Sequence, residues 1–233
     1  MLNIRVATGP ALKHVSAVLA ARVAGTFMTT QPPNARAVSL LFRVWSRVYD
    51  HPLPQRLFYR RVHGRVVQRW RPGPGERVLD VGCGTGLFLK SLAAEHDGLK
   101  LTGLDLSEPM LSRARVDARS LRSPAPEFVQ GSVYEMPFAD ASFDVALNCI
   151  SCHFYLEQVR AFREIHRVLV PGGRLFCAAL TSGLRGRSSL AGIAVYHPAS
   201  VLAEHFRQAG FEVIGSERMF PAVAVIEVRK PSS

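Results

Sequence analysis

The sequence lacks any run of roughly eighteen uncharged apolar residues, which argues against a membrane-spanning helix. It has few cysteines: Cys83, Cys149, Cys152 and Cys177 are too few and too clustered for a disulfide framework, so a reducing, cytoplasmic setting is expected. Acids are nearly missing from its first third. Residues 1–75 carry twelve Lys and Arg against Asp50 alone, while the remainder carries seventeen of each sign. The whole net charge of +11 therefore sits at the amino end. That asymmetry speaks to partners, an anionic surface above all, and not to fold. What is present is an ordinary globular mix, 48% hydrophobic and 20% charged, in 233 residues, which suits one domain with a small addition.

Three segments follow from composition. Residues 1–30 read as a leader, either disordered or a non-native start, with Met28 as the alternative first residue. Residues 31–73 read as a basic helical cap. Within it, ARAVSLLFRVWSRVYD (35–50) and QRLFYRRVHGRVVQRW (55–70) have helical periodicity, with Arg61, Arg65 and Arg69 on one face. The cluster RPGPGE (71–76) marks a turn and a boundary. From 74 to 233 strands and helices alternate, which predicts an α/β, doubly wound, mostly parallel sheet of seven strands with right-handed crossovers. Its last two strands are joined without a helix, which predicts an antiparallel final strand. The helix over LEQVRAFREIHRVLV is expected to stop at PGG, with Gly172 and Gly173 left-handed.

After the first strand of that domain comes VLDVGCGTGLFL (78–89). In such sheets ligands bind beyond the carboxyl ends of the strands, which is where this loop lies. The glycines are Gly82, Gly84 and Gly86, one residue tighter than the dinucleotide fingerprint, and no Lys-Ser/Thr follows them as in a phosphate-binding P-loop. Asp80 precedes the loop, and an acid there repels phosphate but suits a cation.

Four blocks in register resemble the class I S-adenosylmethionine (SAM)-dependent methyltransferases, in the small-molecule branch that includes the quinone and phospholipid methyltransferases. They are VLDVGCGTG, LTGLDLSEPML, EFVQGSVYEMPFADASFDVA and EIHRVLVPGGRL, covering about residues 74–230. The resemblance implies a Rossmann-like methyltransferase fold with SAM as cofactor. It places Asp80 at the amino-acid end of SAM, and Gly82, Cys83, Gly84 and Gly86 along its methionine and ribose portions. Asp105 accepts from both ribose hydroxyls, which a carboxylate does bidentately. Leu106 and Met110 flank the adenine, and Ser132 and Val133 meet its edge. Ser132 departs from the family, which usually has Asp there, so adenine selectivity is the property put in question.

CISCH (149–153) is half of a zinc pattern without a second half, so no metal is expected. The resemblance instead places this stretch beside the methyl acceptor. Asn148, Cys152, His153 and Tyr155 line the acceptor side, and Asn148 counts among the cofactor-binding residues as well. Tyr49, in FRVWSRVYD, joins them because that stretch resembles the opening segment of the same enzymes. His153 is the candidate general base, since an ordinary imidazole titrates near neutral pH. The sequence NCISCHFY is not the Asn-Pro-Pro-Tyr block of many enzymes that methylate nitrogens in nucleic acids and proteins, so a small-molecule acceptor is favoured. The basic helices, with Trp45, Phe58, Tyr59 and Trp70, suggest a peripheral seat on an anionic membrane and a lipophilic acceptor. A nucleic-acid methyltransferase and a non-enzymatic SAM-binding protein are the alternatives.

Overall fold

A computed structural model of the protein describes residues 58–121, 124–182, 188–190 and 194–232. The leader, the helix expected over 35–50, and Tyr49 lie outside these residues. Along the chain come α1 (Arg60–Trp70), β1 (Arg77–Val81), α2 (Leu87–Glu95), β2 (Lys100–Asp105), α3 (Glu108–Ala118) and β3 (Glu127–Gln130). They are followed by β4 (Phe143–Cys149), a 3-10 turn (Cys152–Phe154), α4 (Gln158–Val168), β5 (Leu169–Leu180), β6 (Ser188–Leu190) and β7 (Ala194–Tyr196). The chain ends with α5 (Ala199–Gln208), β8 (Glu212–Phe220) and β9 (Val223–Arg229).

Seven strands form one sheet in the order β3-β2-β1-β4-β5-β9-β8, and β6 and β7 pair separately. Strands β1 to β5 are parallel. Strand β9 runs antiparallel between β5 and β8. This is the expected doubly wound sheet with its antiparallel finish. The chain steps outward from β1 to β3 and then returns to β4 on the other side, so the topological switch lies between β1 and β4.

The central strands are apolar on both faces because helices cover both. Leu79, Val81, Ala146 and Cys177 face α4 and α5, where Phe162, Ile165 and Phe206 complete one core. Val78, Val145, Leu147 and Phe176 face the other way, against Leu89 and Leu92 of α2 and Val62, Val66 and Trp70 of α1.

Two expectations change here. Trp70 is not a membrane-facing aromatic: it is buried, and its Nε1 donates to Glu76 Oε2 at 3.0 Å. The arginine face of α1 is also partly committed. Arg65 pairs with Glu217 of β8 at 2.6 Å, and Arg69 with Glu227 of β9 at 3.1 Å. Second, α4 ends well before PGG. Leu169 is already extended and opens β5, so the helix hands directly to the strand. Gly172 has φ +78°, but it lies inside β5, and Gly173 is not left-handed. Gly173 is needed for space instead, since a Cβ there would meet the Val170 carbonyl at 2.8 Å.

Candidate functional site

The carboxyl ends of β1, β2 and β4 meet at the switch point. Register brings Asp80 beside both Gly103 of β2 and Leu147 of β4. Gly82, Gly84 and Gly86 all take positive φ, 76°, 56° and 71°, which only glycine adopts without strain. Two of them also need room. A Cβ on Gly82 would lie 2.6 Å from Ser151 Oγ, and one on Gly86 would lie 2.6 Å from the Phe128 ring. The loop is tied down at its start, where Gly82 N and Cys83 N both donate to the Leu104 carbonyl.

Asp105 closes the site from β2. Its Oδ2 accepts Gly84 N–H and its Oδ1 accepts Ser107 N–H, each at 2.8 Å. Each carboxylate oxygen has a further lone pair, so the group can also receive two hydroxyls. Desolvation holds Asp105 above the ordinary carboxylate range, with three backbone N–H groups pulling the other way. Asp80 is buried, and desolvation, with the nearby Asp105 charge second, raises it to about 7. Two neighbouring acids lifted by burial form a site that gains from a cation. The loop carries no basic side chain for a phosphate. Arg115 of α3 is engaged with Glu108 Oε1 and the Phe128 carbonyl.

The other cofactor-side expectations divide. Leu106 is 51% exposed at the rim, where an apolar side chain open to solvent fits an adenine face. Val133 and Ser132 are half-buried, and Ser132 Oγ accepts the Tyr134 N–H at 3.2 Å. Met110 is only 2% exposed, so it packs beneath the site and offers an adenine almost no surface. Cys83 contributes backbone alone. Its thiol is buried against Gly103, and desolvation holds its pKa far up.

On the acceptor side the structure corrects more. Asn148 is fully buried. Its Nδ2 lies within 2.9 Å of the Val81 carbonyl, Ser151 Oγ and Tyr155 OH, so it braces β4 against β1. Cys152 is core, with its Sγ 3.8 Å from that of Cys177. Tyr155 is buried, and its hydroxyl shares the Asn148 and Ser151 network under Gly82. His153 is 4% exposed, stacked on Tyr196 at 5.2 Å, with Nδ1 unpartnered. Burial lowers its pKa to about 4, which removes the premise that it titrates near neutrality. An imidazole with that pKa is neutral at pH 7 and a weak general base.

Three residues that sequence reasoning missed stand at the site. Ser151 fills the space a Cβ on Gly82 would need, with its Oγ 3.0 Å from the Val81 carbonyl. Ser107 opens α3 with a buried, unpartnered Oγ beside Asp105. His63 reaches the glycine loop from α1. Only Ser107 had a sequence signal, as the residue before Glu-Pro at a helix start. The orphaned Ser107 hydroxyl, the spare lone pairs of Asp105 and the glycine cradle fit a cationic, phosphate-free nucleoside. Among the described residues no group of three or more His, Cys, Asp or Glu side chains is arranged to hold a metal.

A family model described as a methyltransferase domain matches residues 79–177. The malonyl-[acyl-carrier protein] O-methyltransferase of Erwinia pyrifoliae is 36% identical over 153 residues, 66% of this chain and 55% of that protein. A fatty-acid O-methyltransferase of Mycolicibacterium smegmatis is 40% identical over 99 residues, 42% of this chain and 35% of that one. The chain thus spans about half the length, or less, of these curated relatives. Among solved structures, a SAM-dependent methyltransferase from Aquifex aeolicus superposes with a TM-score of 0.68 at 19% identity, covering 80% of this chain and 97% of that one. Residues 79–177 thus match the methyltransferase-domain family, set in a sheet fold shared with the SAM-dependent methyltransferase from Aquifex aeolicus.

Proposed function

We propose that this protein transfers a methyl group from SAM to an oxygen of a small, lipophilic acceptor. The observation that carries the reading is the pairing of Asp80 and Asp105 around a left-handed glycine loop free of basic side chains. When bound there, SAM supplies an electrophilic methyl on a sulfonium. Asp105 would hold the ribose hydroxyls, Asp80 the amino-acid end, and Leu106 one face of the adenine. The protein's remaining task is placement: the glycine loop and the Asn148–Ser151–Tyr155 network fix the floor, and the apolar core behind it excludes water. Acceptors that arrive already deprotonated suit a site where His153 is a poor base. Oxygen methylation of acyl compounds by the Erwinia and Mycolicibacterium relatives supports this class of acceptor.

A seat on an anionic membrane accompanies this reading. Arg60 and Arg61 of α1 remain exposed beside the paired Arg65 and Arg69, and the chain before residue 58 adds further arginines without a compensating acid other than Asp50. No helix of the described residues is long and apolar enough to cross a membrane. The four free cysteines support a reducing, cytoplasmic location. The test is to incubate the full chain with methyl-labelled SAM and a cellular lipid extract. Label appearing in an organic-soluble ester or ether supports the proposal. Label transferred instead to added RNA or DNA defeats it.

A further inference from the structure

We infer that His63 of α1 grips the carboxylate of the cofactor's amino-acid end, across from Asp80, which takes the ammonium of the same end; this rests on SAM being the cofactor. The two side chains line one cleft with Gly82, Cys83, Phe88 and Cys149. The cleft measures about 300 Å³ counted to its open mouth.

The charges available in this cleft define its ligand. Among the described residues that line it, Asp80 is the one acid and His63 the one imidazole. The Cys83 and Cys149 thiols stay neutral because burial holds both far above their ordinary pKa. Burial disfavours charge on this pair too, raising Asp80 to about 7 and lowering His63 to about 4. A buried acid and a half-buried imidazole, neither facing a counter-charge among the described residues of the cleft, match a zwitterion, which supplies one partner to each. The amino end of α2, at Leu87 and Phe88, borders the same cleft and adds the positive end of a helix dipole for the carboxylate.

His63 is also held in a defined pose. Its ring lies flat on Phe88, 4.1 Å between centroids and 4° from parallel, with Tyr59 at 6.3 Å. No described residue hydrogen-bonds to its ring nitrogens, so an N–H remains to be donated. Packing rather than polar contact fixes the ring, so the donor can be removed while the stack is kept.

The experiment compares two probes by titration calorimetry on the full chain. S-adenosylhomocysteine has the amino-acid end, while methylthioadenosine has the same nucleoside thioether without it. His63→Phe keeps an aromatic ring on Phe88 and should weaken S-adenosylhomocysteine about tenfold or more, leaving methylthioadenosine within about twofold. His63→Gln, which retains an N–H donor, should recover part of the loss. Equal weakening of both probes, or unchanged affinity for S-adenosylhomocysteine, would overturn the inference. Failure of the parent to bind either probe would instead overturn the cofactor reading beneath it.

Discussion

Asp105 and Gly84, 21 positions apart, are joined by a hydrogen bond of 2.8 Å from the Gly84 N–H to the Asp105 carboxylate. The end of β2 thereby sets the path of the glycine loop that follows β1. The same carboxylate fixes the start of α3 through Ser107. One side chain positions two of the walls between which the cofactor must lie.

The raised pKa of Asp80 gives cofactor binding a pH dependence of known sign. Asp80 is protonated in the unliganded protein below about pH 7, and a cationic ligand prefers its carboxylate. SAM affinity should therefore rise as pH increases through 7 and level off above it. Calorimetry from pH 6 to 8.5 checks this, and Asp80→Asn should flatten the profile.

Stability should move the opposite way. A carboxyl whose folded pKa is raised contributes stability that is present below its unfolded value near 3.8 and lost as pH rises through about 7. Without ligand at pH 8, Asp80→Asn should melt about 2–5 °C above the parent. A lower melting temperature would show that the Asp80 charge is compensated in a way the structure does not contain.

Gly82→Ala should damage both folding and binding. The new Cβ would meet Ser151 Oγ at 2.6 Å on a backbone held at φ +76°. A loss of about 1–3 kcal/mol in denaturant unfolding is expected. Adding Ser151→Ala should restore only part of it, because the backbone strain remains.

Asn148→Leu tests whether that residue is structural. Leucine keeps the volume but removes the amide that bridges Val81 to Ser151 and Tyr155. Stability should fall by about 1–3 kcal/mol. Methylthioadenosine affinity, measured where the variant is folded, should change far less than in Asp105→Ala.

Much of this was legible in the chain. The alternation of apolar strands and amphipathic helices carries the sheet, and the spacing of Gly82, Gly84 and Gly86 between Asp80 and Asp105 carries the cofactor wall. Those are local patterns, and local patterns survive folding. The errors lie where burial decides. Asn148, Cys152 and Met110 stand next to the site in sequence, yet strand parity and helix phase turn their side chains inward. His153 has the right chemistry by residue type, but desolvation by Tyr196 and the core changes its pKa. His63 was invisible because only tertiary packing brings α1 against the first turn of α2.

The most direct measurement is a calorimetric titration of SAM into the full chain beside its Asp105→Ala variant. The account predicts one-to-one binding by the parent and at least tenfold weaker binding by the variant, in which the ribose loses its acceptor and the loop its anchor. No binding by the parent, or equal binding by both, would contradict it.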